Sequence, residues 1–202
     1  MSLDLSVLNP EQRTAVEEID GPCMIIAGAG SGKTRVLTYK VAYLIESGIS
    51  PYSILALTFT NKAANEMKER VAALLNSNTD RIWMGTFHSI FARILRMEAD
   101  KIGFTRNFTI YDTDESVNVI KQVMSEIGIL TEKTNPRGVQ STISFLKNKL
   151  ITSEEFSQTA KTFYEQIIEK VYPEYQRILF KSNAMDFDDL LMKPIELFER
   201  HP

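Results

Sequence analysis

The chain is poor in the residue types that build disulfide frameworks, metal centres and membrane spans. Among 202 residues it has one cysteine, Cys23, and two histidines, His88 and His201. One thiol forms no internal disulfide, and so few Cys and His side chains argue against a Cys/His metal cluster. Cys23 lies in a short apolar run and is expected to be buried there, which fits a reducing, cytoplasmic compartment. No apolar stretch approaches the ~20 residues that cross a bilayer, and no basic segment precedes an apolar core at the start. Neither a membrane helix nor a secretory signal is therefore expected. A strong charge of one sign is missing too: the formal net charge is −3, from 23 Lys and Arg against 26 Asp and Glu. That excludes a strongly basic protein wrapping duplex nucleic acid. It leaves room for a single-strand binder, which combines aromatic stacking with a local basic groove. Residues 1–111 carry 12 basic and 11 acidic side chains and residues 112–183 carry 9 and 10; only residues 184–202, with 2 and 5, are acidic. Repeats and low-complexity tracts are absent.

Against these absences stands one dense stretch, Ala27-Gly28-Ala29-Gly30-Ser31-Gly32-Lys33-Thr34. It follows the apolar run Cys23-Met24-Ile25-Ile26 and leads into Arg35-Val36-Leu37. Strand, glycine-rich turn and helix in that order form a phosphate-binding loop. Wrapping a polyphosphate needs many backbone N–H groups aimed inward, and glycines allow the close, strained path. The helix N-terminus adds partial positive charge. Lys33 would reach the β- and γ-phosphates, and the Thr34 hydroxyl would bind Mg²⁺. The spacing fits the Walker A pattern except that Ala27 stands at the usual first glycine.

The first half of the chain alternates strand and helix. Cys23–Ala27, Ile54–Phe59 and Ile82–Thr86 read as strands. Helices are expected from Lys33 to about Ser47, from about Lys62 to Leu75, and from after Thr86 to about Ile102, ending at Gly103. This pattern predicts an α/β fold, a parallel sheet with crossover helices. From Asp112 onward only helices are expected. Asp112 with Glu115 forms a capping arrangement, Gly128 ends that run, and Pro136 opens a helix through Leu150. Thr152 with Glu155 caps another, and Phe163–Phe180 reads as a long helix broken or kinked near Pro173. Residues 112–183 thus form an all-helical subdomain, inserted into or appended to the α/β core. A last helix, about Phe187–Glu199, could return to that core.

Four further clusters carry chemistry. Leu8-Asn9-Pro10-Glu11-Gln12 reads as a capped helix start, with Asn9 as N-cap and Pro10 in the first turn. The Gln12 amide both donates and accepts, which suits the N6/N7 edge of adenine. Thr58-Phe59-Thr60-Asn61-Lys62 lies at a strand end, where open parallel sheets bind ligands. Its hydroxyls, amide and lysine could contact phosphates and sugars, and Phe59 could stack on a base; alternatively Phe59 is core and Thr60 a helix cap. Gly85-Thr86-Phe87-His88-Ser89 ends a second strand. There a backbone contact to nucleic acid fits His88 better than general-base catalysis, because no Ser/His/Asp arrangement surrounds it. Met185-Asp186-Phe187-Asp188-Asp189 groups three carboxylates, which suit a helix start better than a metal site.

Together and in this order, these segments resemble the superfamily 1 DNA helicases of the UvrD/PcrA/Rep type. They look like that family's Q motif, motifs I, Ia and Ib, and a further conserved segment ahead of motif II, and the likeness covers essentially the whole chain. The resemblance implies a RecA-like motor domain formed by residues 1–111 and 184–202, with a helical subdomain, 1B, at 112–183. It also implies ATP and Mg²⁺ as cofactors, with Gln12 at adenine, Ala27, Gly28, Ala29, Gly30, Ser31, Gly32, Lys33 and Thr34 at the phosphates and metal, and Arg35 near the nucleotide. Thr58, Phe59, Thr60, Asn61, Lys62, Thr86, Phe87 and His88 would line a single DNA strand, and the helical subdomain would face the duplex at the junction. Repair or replication proteins would join DNA as partners, and translocation would run 3′ to 5′. The family's motif II, an Asp-Glu pair after an apolar strand, does not follow in these residues, nor does the second motor domain with its arginine finger. The expectation is therefore an N-terminal helicase fragment without sustained ATPase or unwinding. The alternatives are the helicase segment of an AddA/RecB-like helicase–nuclease, or a nucleotide- or strand-binding module with no activity of its own.

Overall fold

The computed structural model describes residues 3–158 and 160–202. The chain divides into two compact units, residues 1–90 and 91–202.

In the first unit, α1 (Pro10–Glu17) opens with a complete capping box: the Asn9 side chain accepts from Gln12 N–H, and the Gln12 side chain accepts from Asn9 N–H. Helix α2 (Lys33–Glu46) follows the glycine-rich loop. Strand β1 (Leu55–Thr58), α3 (Asn61–Leu75) and β2 (Trp83–Thr86) make a parallel crossover unit, with Thr58 opposite Thr86. Val41, Ile54, Ala56, Met67, Val71, Ile82 and Met84 form its core. Leu8, Val16 and Val36 form a smaller core between α1 and α2.

One expected strand is not formed. Residues 23–27 have no regular structure, and Met24 and Ile26 are 83% and 87% exposed. Cys23, expected to be buried, is exposed. A strand apolar on both faces is stable only between neighbouring strands and under covering helices, and no described residue pairs with this one.

Helix α4 (Phe87–Glu98) crosses the boundary between the units and continues as a 3₁₀ turn, Ala99–Ile102, closed by left-handed Gly103. Strand β3 (Thr109–Tyr111) precedes a run of helices: α5 (Thr113–Glu126), α6 (Pro136–Asn148), α7 (Ser153–Ser157) and α8 (Phe163–Lys181). Capping boxes start α5, α7 and α8, the first two at the expected Asp112/Glu115 and Thr152/Glu155. Helix α8 runs through Pro173 without interruption. The region after Asp112 is not wholly helical, however. Strand β4 (Ala184–Asp186) pairs in parallel with β3, Tyr111 opposite Asp186, before α9 (Asp189–Arg200). The helices between β3 and β4 therefore leave the sheet and return to an adjacent position in it. The sequence hid β4 because three residues carry no periodicity; its pairing with β3 defines it.

Candidate functional site

The glycine-rich loop is shaped by two left-handed glycines, Gly30 (φ 76°) and Gly32 (φ 87°), where a side chain would strain the backbone. A Cβ on Gly28 or Gly30 would meet no atom within 4 Å, so the loop borders open space. At Gly32 a Cβ would stand 2.7 Å from Gln12 Nε2, so a side chain there would push aside the Gln12 amide, which approaches the loop closely. That approach is a hydrogen bond: Gln12 Nε2 donates to the Ser31 carbonyl at 2.9 Å. Ser31 Oγ donates to Gly28 O at 2.8 Å, and Lys33 Nζ donates to Ala27 O and Gly28 O at 2.9 and 2.7 Å. No side chain caps α2, which leaves its first-turn N–H groups available to an anion. Arg35 lies over the Tyr39 ring, 5.8 Å from its centroid. Thr34 is exposed at the helix start. A magnesium ion on a nucleotide takes only one or two protein ligands beside phosphate and water, so a single hydroxyl at a phosphate loop fits it. No group of three or more His, Cys, Asp or Glu able to hold a metal occurs among the described residues.

The two strand-end clusters lie side by side because the β1–β2 register pairs Thr58 with Thr86. Phe59 is 90% exposed, which removes the core reading, and its ring stands 5.6 Å from that of Phe87. Thr60 also has the local role considered for it: its side chain accepts from Ala63 N–H and caps α3. Asn61 and Lys62 are exposed in the first turn of α3, and His88 is half-buried. Thr86 differs. It is buried, and its Oγ1 accepts from Ser89 N–H and contacts Ser89 Oγ, so it holds the start of α4 rather than facing solvent.

The carboxylate cluster after β4 has a partner that sequence reading missed. Lys147, on α6, is fully buried, and its Nζ donates to Asp186 at 2.6 Å and to Asp189 at 2.9 Å. Tyr175 OH also donates to Asp186, at 2.8 Å. The remaining oxygens accept from backbone: Asp189 N–H to Asp186 Oδ1, and Asp186 N–H to Asp189 Oδ2. All four oxygens of Asp186 and Asp189 are thus occupied, and Asp188 accepts from Asn148 Nδ2, so the two buried aspartates serve the start of α9, the reading the sequence favours. Burial alone would lower the Lys147 ammonium, but Asp189 and Asp186 outweigh it and hold it above the usual lysine value. Burial pushes Asp186 up, yet Lys147 and the hydrogen bonds leave it below the usual carboxylate range. At Asp189, burial and the neighbouring Asp186 prevail over Lys147 and raise it. A signal was present: Lys147 falls four residues after Ile143 and eight after Val139, on the stripe that α6 buries.

With this geometry in view, comparison with known proteins is specific. A family model described as the UvrD/REP helicase N-terminal domain matches residues 8–202. The chain is 51% identical over 199 residues to the ATP-dependent DNA helicase PcrA of Bacillus subtilis, covering 98% of this chain and 27% of that protein. It is 50% identical over 203 residues to PcrA of Staphylococcus aureus, covering 100% and 28%, and 52% identical over 196 residues to PcrA of Staphylococcus epidermidis, covering 96% and 27%. The chain spans about a quarter of the length of these relatives. The glycine-rich loop, the paired strand ends and the return from β3 to β4 are thus parts of a chain that belongs to the UvrD/REP helicase N-terminal domain family.

Proposed function

We propose that the chain is the N-terminal ATP- and single-strand-binding part of a cytoplasmic ATP-dependent DNA helicase that translocates 3′ to 5′. The observation that carries this reading is the loop Ala27–Thr34, with Lys33 at the start of an uncapped helix and Gln12 hydrogen-bonded to its Ser31 carbonyl. Lys33, now on the Ala27 and Gly28 carbonyls, would hold the phosphates of ATP, the Thr34 hydroxyl would hold Mg²⁺, and the Gln12 amide would hold adenine. A bound magnesium supplies charge neutralisation at the β- and γ-phosphates. Phe59, Phe87, Asn61, Lys62 and His88 form the strand path, with Thr58, Thr60 and Thr86 holding its backbone frame. Residues 1–111 and 184–202 make a RecA-like core, and residues 112–183 make the inserted subdomain 1B, which meets the duplex at the junction. The adjacency of Tyr111 and Asp186 across β3 and β4 supports that division, because an insertion must leave and re-enter its host at one place.

Sustained hydrolysis needs a positioned water and charge compensation at the transferring phosphoryl group, and an arginine finger alone supplies ~10³–10⁵ in rate. These 202 residues are therefore proposed to bind ATP without turning it over. Two assays test the reading. A fluorescent ATP analogue should bind with Mg²⁺, and Lys33→Ala should abolish that binding; wild-type affinity in the variant would sink the nucleotide assignment. Phosphate release with and without single-stranded DNA should stay near the uncatalysed rate; sustained DNA-stimulated turnover would overturn the proposed inactivity.

A further inference from the structure

The helical unit carries an apolar hollow that the proposed nucleotide and strand sites leave unused. Helix α5 ends in a left-handed turn at Gly128 (φ 73°), closed by Gly128 N–H to Ser125 O and Ile129 N–H to Met124 O. This turn brings Ile129 and Leu130 alongside the first turns of α8. Ile129 packs on the core of the unit, whereas Leu130 is 59% exposed and Phe163 is 79% exposed. Leu130, Phe163, Gln166 and the buried Ile167 help to line a hollow of about 280 Å³. Lys133 and Lys170, both exposed, line it as well, and no carboxylate does. Neither ammonium has an ion-pair partner among the described residues.

Exposed leucine and phenylalanine around an apolar floor form a surface that gains by leaving water, the usual mark of an interaction site. The two unpaired ammonium groups fix the sign of what fits. We propose that this hollow docks an acidic segment of a partner protein. The partner's leucine or phenylalanine seats between Leu130 and Phe163, and its aspartates or glutamates lie against Lys133 and Lys170. Nucleic acid fits less well. Phosphate binding draws on many cations at once, whereas Lys133 and Lys170 are the two cations that line this hollow among the described residues. Base stacking needs aromatic platforms, and among the described residues Phe163 is the one aromatic that lines the hollow.

The test is fluorescence anisotropy with a short labelled peptide in which leucine and phenylalanine recur every three or four residues among glutamates and aspartates. A second peptide replaces every acid by lysine, and labelled single-stranded and duplex DNA complete the set. The acidic peptide should bind saturably and the lysine peptide should not. Lys133→Glu and Lys170→Glu should each weaken the acidic peptide roughly fivefold, the upper end for an exposed ion pair. The double reversal should gain binding of the lysine peptide. Phe163→Ala should weaken the acidic peptide roughly tenfold, and Leu130→Ser, on the other wall, gives an independent reading should α8 be disturbed. Equal affinity for the two peptides would overturn the proposal, as would an acidic peptide indifferent to all four substitutions. Duplex or single-stranded DNA held by the wild type and lost in the double reversal, with no peptide bound, would overturn it in favour of a nucleic-acid surface.

Discussion

Replacing Lys147 by methionine keeps most of the side-chain volume and removes the ammonium that faces two buried carboxylates. Its Nζ lies 2.6 Å from Asp186 and 2.9 Å from Asp189 with no solvent access. Removing one partner of a buried ion pair costs ~3–5 kcal/mol, because the charge left behind has neither water nor a counter-ion. The two contacts do not double that figure. Asp189 is already held above its usual value, so the pair of acids can relieve itself by taking up one proton. With a urea dependence of ~2 kcal/mol per molar, the transition of this unit should move down by ~1.5–2.5 M. Because the chain has two compact units, a whole-chain transition need not be two-state. The sharper assay is amide exchange in α6, β4 and α9, which reads the unit that holds the cluster.

The pH dependence separates an ionised cluster from simple packing. In the native protein Asp186 is held below the carboxylate range, so its contribution is present above about pH 4 and is lost as pH falls through its lower folded value. Lys147 is held above its usual value, so its contribution is present below about pH 10 and is lost as pH rises through its folded value. Asp189, raised, runs opposite to Asp186: its contribution belongs to low pH and is lost as pH rises through its folded value. In Lys147→Met both acids lose the ammonium and both folded values rise. The deficit against wild type should therefore be largest near neutral pH and shrink toward about pH 4 as a proton enters the pair. Adding Asp186→Asn to Lys147→Met should recover part of it. A Lys147→Met protein that loses less than about 1 kcal/mol by exchange, with a deficit that ignores pH, would refute the ionised cluster.

Gly32→Ala forces a left-handed residue to carry a Cβ 2.7 Å from Gln12 Nε2; αL strain of ~1–2 kcal/mol alone should weaken ATP-analogue binding about tenfold, read by fluorescence titration. Phe59→Ala should reduce single-strand affinity by the ~1–3 kcal/mol of one stacked base without moving the melting temperature, since the ring is 90% exposed; unchanged affinity would remove Phe59 from the strand path. Asn9→Ala breaks the capping box of α1 and should lower stability by ~1 kcal/mol, checked by denaturant unfolding of the first unit.

What the sequence made legible is what short-range chemistry decides. The cap at Asn9 and the pairs at Asp112/Glu115 and Thr152/Glu155 rest on neighbouring residues, and all three formed, the first with Gln12 completing a box the sequence reading did not include. The phosphate loop is legible for the same reason: its glycines, Lys33 and Thr34 are consecutive, and the strain at Gly30 and Gly32 is local. What stayed hidden depends on partners far along the chain. Residues 23–27 have strand composition, but strand formation is a property of a pair, and no described residue supplies the other half. β4 is the converse: weak composition made into a strand by β3.

Lys147 shows why charge is the hardest case. A lone lysine in a helical pattern is normally read as solvated, because its burial without a counter-charge is prohibitive. Only Asp186 and Asp189, returning beside it 39 and 42 residues later, reverse that expectation. The same pair changes how the acidic stretch after β4 is understood. Each aspartate uses one oxygen for the other's backbone N–H and one for Lys147. The motif is thus a helix start and a charge cluster at once. Neither role alone accounts for both aspartates being buried: an exposed cap needs no lysine, and a buried ion pair needs no backbone partner. The combination ties α6 to the junction of β4 and α9 through Lys147, the one group of the three whose loss leaves buried carboxylates without a counter-charge.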